Sequence, residues 1–240
     1  MDIGKSFTFV FEDQKKIEKI LIGGLVMLIP VIGAIILLGY SVRLVRNVRN
    51  HHPEPLPEWD DWGGMLSEGL KLFIIYFLWS LPLIILSIFL IIPMALAGDP
   101  EDAGVIASLF GLCFSCFAFL YAIILWLAIP AITVKFAENG EISDGFEFGE
   151  IMGFAKKHVG EIIIVALVSM AAFTIAGMVG SILCVIGSLF TYFWATMVQY
   201  HLIAQIGLDE AAPRDAFAAP DSLDELTAVE EDDSLLDDLE

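Results

Sequence analysis

Residues 72–97 of the chain are LFIIYFLWSLPLIILSIFLIIPMALA, twenty-six positions without one charged side chain. A helix of about 20 residues crosses a hydrocarbon layer roughly 30 Å thick, so an uncharged apolar run of this length indicates a membrane span. Its continuous apolar character favours a helix over the alternating pattern of a barrel strand. The stretch therefore predicts an all-α membrane protein.

Comparable runs cover much of the remaining chain, which is 58% hydrophobic overall. The last run, 162–206, would be about 67 Å long as one helix, twice the thickness of a bilayer, so it is predicted to form a helical hairpin. We expect a polytopic membrane domain over 1–206 with about five transmembrane helices. Their approximate bounds are 20–42, 70–97, 103–134, 162–180 and 184–206.

The first run contains Pro30, and this leaves two arrangements open. As one kinked span, 20–42 would place the N-terminus on the opposite side of the membrane from the two large polar loops, 43–69 and 135–161. As a re-entrant hairpin broken at Pro30, it would have arms of about 11 residues, roughly 16 Å, too short to cross. We favour the full span, although it leaves Lys5, Lys15, Lys16 and Lys19 outside the cell, against the usual preference of basic residues for the cytoplasm.

Acidic residues are concentrated at the C-terminal end. The net charge is −19, and the segment 207–240 has 13 acids and one base. Its like charges and scarcity of apolar residues predict a disordered tail. Such an acidic composition is typical of proteins that work in high salt, and it argues against a nucleic-acid partner.

The most distinctive polar stretch is Leu56-Pro57-Glu58-Trp59-Asp60-Asp61-Trp62-Gly63-Gly64. On a helical turn, Trp59 and Trp62 would share a face at the headgroup level, while Glu58 and Asp61 would point to water. Asp60 or Asp61 would cap the helix that follows. We hypothesise a docking loop made of Pro57, Glu58, Trp59, Asp60, Asp61 and Trp62; a plain interfacial anchor is the alternative, because tryptophan serves both roles.

A basic row precedes this loop at a spacing of three residues: Arg43, Arg46 and Arg49. These guanidinium groups are expected to contact either the acidic loop or anionic lipid headgroups. The segment Phe148-Gly149-Glu150-Ile151-Met152 follows the same pattern as Trp62-Gly63-Gly64-Met65-Leu66, an aromatic residue and glycine before two apolar residues. This similarity suggests a weak internal repeat, for which chance resemblance is the alternative.

Four stretches together resemble a known family. They are Lys19-Ile20-Leu21-Ile22-Gly23-Gly24, Gly39-Tyr40, the 56–62 loop and Glu68-Gly69-Leu70-Lys71. The chain is similar here, over about residues 1–206, to the domain of unknown function 4013 family, an uncharacterised archaeal integral membrane family frequent in halophiles. The resemblance implies a membrane protein and carries no activity, cofactor or catalytic residue.

Residues with catalytic or ligating potential are sparse. The predicted spans hold no charged residue well inside their limits, whereas proton-driven transporters usually bury such groups. His201, adjacent His51 and His52, and the Cys113–Cys116 pair lack partners at metal-ligand spacing, and Cys184 stands alone. We predict no catalytic site, no bound metal and no cofactor.

The residues therefore favour a non-enzymatic, multi-pass protein of the cell membrane. Our first hypothesis is a scaffold or accessory subunit that presents cytoplasmic loops to a protein partner, with the lipid bilayer as its other partner. The alternative is a small transporter or facilitator for an uncharged or hydrophobic substrate, built on spans broken by proline and glycine. Basic residues near short loops place both large loops and the acidic tail in the cytoplasm. The oligomeric state is left open.

Overall fold

The computed structural model describes residues 1–96, 100–182 and 184–208. This part of the chain is helical and contains no strand. The helices are α1 (Ile3–Glu12), α2 (Lys16–Val26), α3 (Ile32–Arg49), α4 (Trp62–Leu96), α5 (Pro100–Asn139), α6 (Phe148–Lys157), α7 (Val159–Ile182) and α8 (Cys184–Ala204), with a 3₁₀ turn at Ser143–Phe146 before α6. The predicted tail after Gly207 lies almost wholly outside the described residues.

The first apolar run differs from the single kinked helix that we expected over 20–42. α2 ends at Val26, and α3 begins at Ile32. Between them, Val31 adopts a φ of 65°, a left-handed conformation that β-branched residues seldom take. The break follows from Pro30, which cannot donate a backbone hydrogen bond to continue the helix.

The two helices run in opposite directions. In one continuous helix, Lys19 and Tyr40 would stand about 31 Å apart. Instead, the Trp59 ring stacks on Tyr40 with centroids 4.2 Å apart, and its Nε1 donates to the carbonyl of Lys19 at 3.2 Å. Residues 20–42 therefore form a helical hairpin whose two arms open toward the same face, in place of the single kinked helix that we expected.

The last apolar run is also a hairpin, formed by α7 and α8. The Thr191 hydroxyl donates to the carbonyl of Ala176 at 2.8 Å, and Gly180 lies against the backbone of Ser188. Gly24 of α2 lies against the ring of Phe190. The tips of the two hairpins thus lie on the same side of the bundle, and α8 packs between α7 and the N-terminal hairpin.

The third hairpin, α4 and α5, is longer than the sequence predicted. Helix α4 begins eight residues before the expected start at 70, and α5 continues to Asn139 rather than 134. Their polar ends extend past the apolar runs because the amphipathic flanks Trp62–Gly69 and Lys135–Asn139 pack against other helices. Tyr76 and Thr133 join α4 to α5 through a 2.6 Å contact between hydroxyl oxygens.

In the part of the chain that the structure describes, three helical segments have the length and apolar character to cross a membrane. They are Trp62–Ile88, Gly111–Asn139 and Val159–Ile182. They support a membrane location. The expected count of about five spans is not confirmed: residues 20–42 are broken, and α8 is not among the three. The suggested repeat stays a prediction, although Met65 and Ile151, its corresponding apolar positions, are both fully buried.

Helices α3 and α4 approach closely at two glycines. A Cβ atom added at Gly69 would overlap the carbonyl oxygen of Ile35, and one added at Gly39 would overlap that of Met65. Small residues permit such backbone contact between membrane helices. The contact fixes the register of α3 against α4.

We predict that Gly69→Ala lowers the free energy of unfolding by about 1–3 kcal/mol, because the new methyl group forces two backbones apart. The measurement is the thermal unfolding midpoint in detergent, followed by circular dichroism. Gly153→Ala in α6 is the matched control, since nothing lies within 4 Å of its added Cβ. Equal midpoints for both variants would contradict the proposed backbone contact.

Candidate functional site at the charged face

The polar ends of the hairpins meet at one face of the bundle. We call it the charged face and define it by the 50–61 loop, segment 140–158, the α1 helix and the C-terminal end of α8. Its centre is Trp59, which stacks between Tyr40 at 4.2 Å and Trp62 at 5.2 Å. The loop that we hypothesised as a docking element is thus held by aromatic packing.

A buried ion pair lies directly beneath this stack. Lys19 and Asp13 have side chains only 2% exposed, and Nζ of Lys19 donates to Oδ2 of Asp13 at 2.7 Å. The same ammonium donates to the carbonyl of Leu56 at 3.0 Å and lies 3.1 Å from Oε1 of Glu58. These three acceptors match the three donors of an ammonium group, so the buried charge is fully hydrogen-bonded.

The backbone before Trp59 is fixed by two further side chains. Tyr40 donates its hydroxyl to the carbonyl of Pro57 at 3.0 Å, and the Asn47 amide donates to the carbonyl of Pro55 at the same distance. Leu56 is 3% exposed and lies in the core with Tyr40. The loop is therefore part of the fold rather than a segment displayed in water.

Asp61 caps the N-terminus of helix α4, which begins at Trp62. Its Oδ1 accepts from the backbone N–H of Gly64 at 2.9 Å, as an N-cap side chain does, and its Oδ2 pairs with Nη2 of Arg43 at 2.6 Å. The cap predicted at Asp60 or Asp61 is therefore Asp61. The two tryptophans do touch, but Trp59 lies in a turn and Trp62 in the helix, instead of both on one helical turn.

Glu58 and Asp61 are exposed to water, as expected, and each also pairs with a cation of this chain. Hydrogen bonds from Lys19 and then Lys15 lower the pKa of Glu58 from its usual value. The hydrogen bond from Arg43, followed by that from Gly64, lowers the pKa of Asp61. Both carboxylates therefore stay ionised at neutral pH. Their pairing stabilises the loop there, and this stabilisation is lost only as the pH falls through their lowered pKa values.

The arginine row joins four helices. Arg43 and Arg46 both contact the Glu68 carboxylate at 3.3 Å, and Arg46 also donates to the carbonyl of Ala137 at 2.9 Å. Arg49 pairs with Glu138 at 2.6 Å and donates to the carbonyls of Ala204 and Ile206 at the end of α8. Arg43 makes the expected contact with the acidic loop, through Asp61, whereas Arg46 and Arg49 pair with carboxylates on α4 and α5. Contact of the row with lipid headgroups stays a prediction.

Four of the six hypothesised docking residues are exposed: Glu58, Asp60, Asp61 and Trp62. Pro57 is buried, and Trp59 is half-buried within its stack. Glu58 and Asp61 are held by ion pairs of this chain, whereas Asp60 and the outer edge of Trp62 are open to a partner.

His201 lies in a buried polar cluster that joins α1 to α8. Its Nδ1 is 2.9 Å from the Ser6 hydroxyl and 2.9 Å from Nε2 of Gln205, and its ring stacks on Phe9 at 4.2 Å. Ser6 is fully buried, so it is not accessible as a nucleophile. His201 and Gln205 lie four residues apart and therefore share a helix face, whereas nothing in the sequence points to Ser6.

The other candidates for metal or redox chemistry lie apart. Cys113 and Cys116 are free and exposed on α5, and the side chain of Cys184 lies outside the described residues. His51 and His52 are exposed at the start of the loop. Within the described ranges, no group of three or more histidine, cysteine or carboxylate side chains is arranged to hold a metal ion.

We predict that Lys19→Met destabilises the protein by about 3–5 kcal/mol, because it leaves the Asp13 carboxylate buried and unpaired. Thermal unfolding followed by tryptophan fluorescence measures the change. Lys15→Met is the matched control: Lys15 is 58% exposed and pairs with Glu58 in water, so little or no change in the unfolding midpoint is expected. Lys19→Met combined with Asp13→Leu is expected to recover part of the loss, and a double variant no better than Lys19→Met alone would argue against the pairing.

Comparison with known proteins gives one match. The profile of the family described as "Protein of unknown function (DUF4013)" matches residues 22–185. These run from the second half of α2 through α3, the 50–61 loop with Trp59 (the aromatic loop) and helices α4 to α7. No curated protein and no solved structure matches the chain. The matched segment covers more than half of the chain, and the chain therefore belongs to the DUF4013 family.

Proposed function

We propose that this DUF4013 protein is a non-enzymatic multi-pass membrane protein, a scaffold or accessory subunit that presents its charged face to a protein partner. The observation that supports this proposal most is that the loop at the charged face is held rigidly by contacts within this chain. The buried Lys19–Asp13 pair and the Arg43–Asp61 pair hold the loop in one conformation, while Asp60 and Trp62 stay accessible. A surface held rigid in advance loses little conformational entropy on binding.

We infer further that the charged face is cytoplasmic. Eleven of the twelve basic residues precede Gly207. The segments that carry them meet at the charged face through the ion pairs and hydrogen bonds given above. These residues are Lys5, Lys15, Lys16, Lys19, Arg43, Arg46, Arg49, Lys71, Lys135, Lys156 and Lys157. With the N-terminal hairpin folded back, the lysines of α1 and α2 no longer conflict with the preference of basic residues for the cytoplasm. The archaeal origin and the high-salt habitat stay predictions.

A transporter for an uncharged substrate is the second candidate, and one observation favours it. Ser41 Oγ, Ser169 Oγ and Trp194 Nε1 are buried side-chain atoms without a hydrogen-bond partner in the described structure. Unpaired polar atoms inside a helical bundle are unfavourable unless a polar molecule contacts them. Flux of small neutral solutes into proteoliposomes that contain this protein alone would favour transport over the scaffold role.

Orientation is tested with single introduced cysteines and an impermeant thiol reagent, in a background without Cys113, Cys116 and Cys184. We predict that Gln14→Cys, Asp60→Cys and Glu141→Cys are all protected in intact cells and labelled after lysis. The Gln14 position is decisive, because a single span over 20–42 would place it on the opposite side from Asp60. Labelling of Gln14→Cys alone in intact cells would contradict the folded-back hairpin.

The partner role is tested by charge reversal at an accessible acid. We predict that Asp60→Lys keeps normal abundance and thermal stability but loses a stoichiometric protein that co-purifies with the wild type from native membrane. Glu18→Lys is the matched control, an exposed acid on α2 outside the aromatic loop. Glu58 and Asp61 are unsuitable for this test because their ion pairs are part of the fold. Equal recovery of the co-purifying protein with wild type, Asp60→Lys and Glu18→Lys would refute the docking role of the loop.

A further inference from the structure

Most ion pairs of the charged face have their basic side chain inside and their carboxylate outside. Four of them have a carboxylate at least three times as exposed as its cation. They are Lys19–Glu58 at 2% and 46%, Arg43–Asp61 at 19% and 59%, Arg49–Glu138 at 9% and 46%, and Lys135–Glu150 at 18% and 67%. The two pairs of Glu68 and the Lys15–Glu58 pair have partners of similar exposure. The outer layer of the face is therefore acidic, although a row of arginines lies beneath it.

Backbone carbonyls hold these cations on their inner side. Nζ of Lys19 donates to the carbonyl of Leu56 at 3.0 Å. Nη1 of Arg49 donates to the carbonyls of Ala204 and Ile206 at 3.2 and 3.0 Å. Because each cation is bound by a carbonyl from within and by a carboxylate from without, its charge is used inside the fold. The surface around the aromatic loop consequently favours cations over anions.

Negative charge without an internal partner lies at Asp60. The aromatic loop has neither lysine nor arginine, and it has four acids: Glu54, Glu58, Asp60 and Asp61. Each oxygen of Asp61 has one contact, with Arg43 or with the N–H of Gly64. The exposed Asp60 side chain has no ion pair or hydrogen bond with the residues that the structure describes. Because a carboxylate oxygen can accept two hydrogen bonds, Asp60 and the outer lone pairs of Asp61 are open to a donor.

The aromatic stack ends beside these carboxylates. From Tyr40 through Trp59 to Trp62, the rings pass from fully buried through half-buried to 42% exposed. Trp59 packs on Trp62 at a centroid distance of 5.2 Å, and no second ring among the described residues packs on Trp62. The face of an indole ring is negative and attracts cations. The stack therefore ends in a cation-attracting surface that its inner rings hold in place.

The open ring and the open carboxylates belong to three consecutive residues, Asp60, Asp61 and Trp62. The Cα atoms of the outer two are at most about 7.6 Å apart, so one side chain of a partner can reach the ring and a carboxylate together. A guanidinium group suits this combination, because its flat face stacks on an aromatic ring while the N–H groups at its edge donate to carboxylates. An ammonium group has no flat face and is more strongly hydrated. These side chains thus favour arginine over lysine.

We propose that Asp60, Asp61 and Trp62 bind an arginine side chain, and that the protein partner of the charged face presents this arginine in a basic segment. This rests on the proposed docking role of the loop and adds the chemical class of the partner. The same carboxylates repel acidic segments, phosphates and anionic headgroups, so the site selects its partner by charge as well as by shape. Arginine is enriched at the centres of protein interfaces, where stacking and paired hydrogen bonds act together.

The test measures peptide binding to the full-length chain in dodecyl maltoside, a detergent with an uncharged headgroup. A fluorescent glycine peptide with two arginines is compared, by fluorescence polarisation, with counterparts that carry two lysines or two glutamines. We expect the arginine peptide to bind most tightly and the glutamine peptide least. Trp62→Leu is expected to weaken binding of the arginine peptide about two- to fivefold, as loss of an exposed cation–π contact does, and that of the lysine peptide less. Asp60→Asn is expected to weaken binding of both basic peptides several-fold.

Two variants are matched controls. Phe148→Leu removes a ring that is 60% exposed next to Glu147, an acid that Lys135 already neutralises. Glu18→Gln removes an exposed acid outside the aromatic loop. Both are expected to bind the peptides as the wild type does, which separates the site from general attraction to a chain of net charge −19. Asp60→Asn removes no contact within the described structure, so it tests the site even if Trp62→Leu lowers stability.

Equal affinity of the arginine peptide for the wild type and either site variant would overturn the proposal, as would an equal loss of binding in the controls. An absence of measurable binding would also overturn it, since Trp62 would then be a plain interfacial anchor. The peptides are synthetic, so the result does not depend on recovery of a native partner. If the peptides fail to bind while Asp60→Lys still loses its co-purifying protein, the docking role stands and the basic class of partner is wrong.

Discussion

The structure depends on a single buried ammonium group. Lys19 and Asp13 are both 2% exposed, and the ammonium also holds the Leu56 carbonyl and the Glu58 carboxylate. Removing two charges from water is unfavourable, so such a pair adds little net stability over an apolar pair of similar shape. What it contributes is specificity: the start of α2 has one position in which all three donors of Lys19 are satisfied. That position brings the N-terminal segment, the α2–α3 hairpin and the aromatic loop together.

The chain reversal at 27–31 then determines which surface is charged. Because α2 returns through α3, Arg43, Arg46 and Arg49 emerge beside the ends of α5 and α8. Their guanidinium groups bind the carbonyls of Ala137, Ala204 and Ile206, which helix ends leave without backbone partners. Arginine suits this role because its donors form a planar fork and its charge is permanent. The residues that concentrate positive charge at the charged face thus also close the helix bundle.

Much of the architecture could be predicted from the apolar runs, because the thickness of a bilayer sets the length of a span. The hairpin over 162–206 followed from length alone. The break in 20–42 did not, since Pro30 is compatible with a kink or a reversal, and the choice depends on Trp59, about 40 residues away from Lys19 along the chain. For the same reason, the exposure of Glu58 and Asp61 could be predicted, but their ion pairs could not. Their partners Lys19 and Arg43 lie in another part of the sequence, and pairing over such distances has no local signal.

The rigidity of the charged face follows from the distribution of polar groups along the chain. Charged side chains need partners or water, and here they gather near the close approach of α3 and α4 at Gly39 and Gly69. Farther along α4 and α5, side chains such as Phe119 are apolar and exposed, so no ion pair holds other helices against them. Lipid acyl chains solvate such side chains as well as a protein neighbour would, and ion pairs are therefore needed only where charge and water meet the bundle.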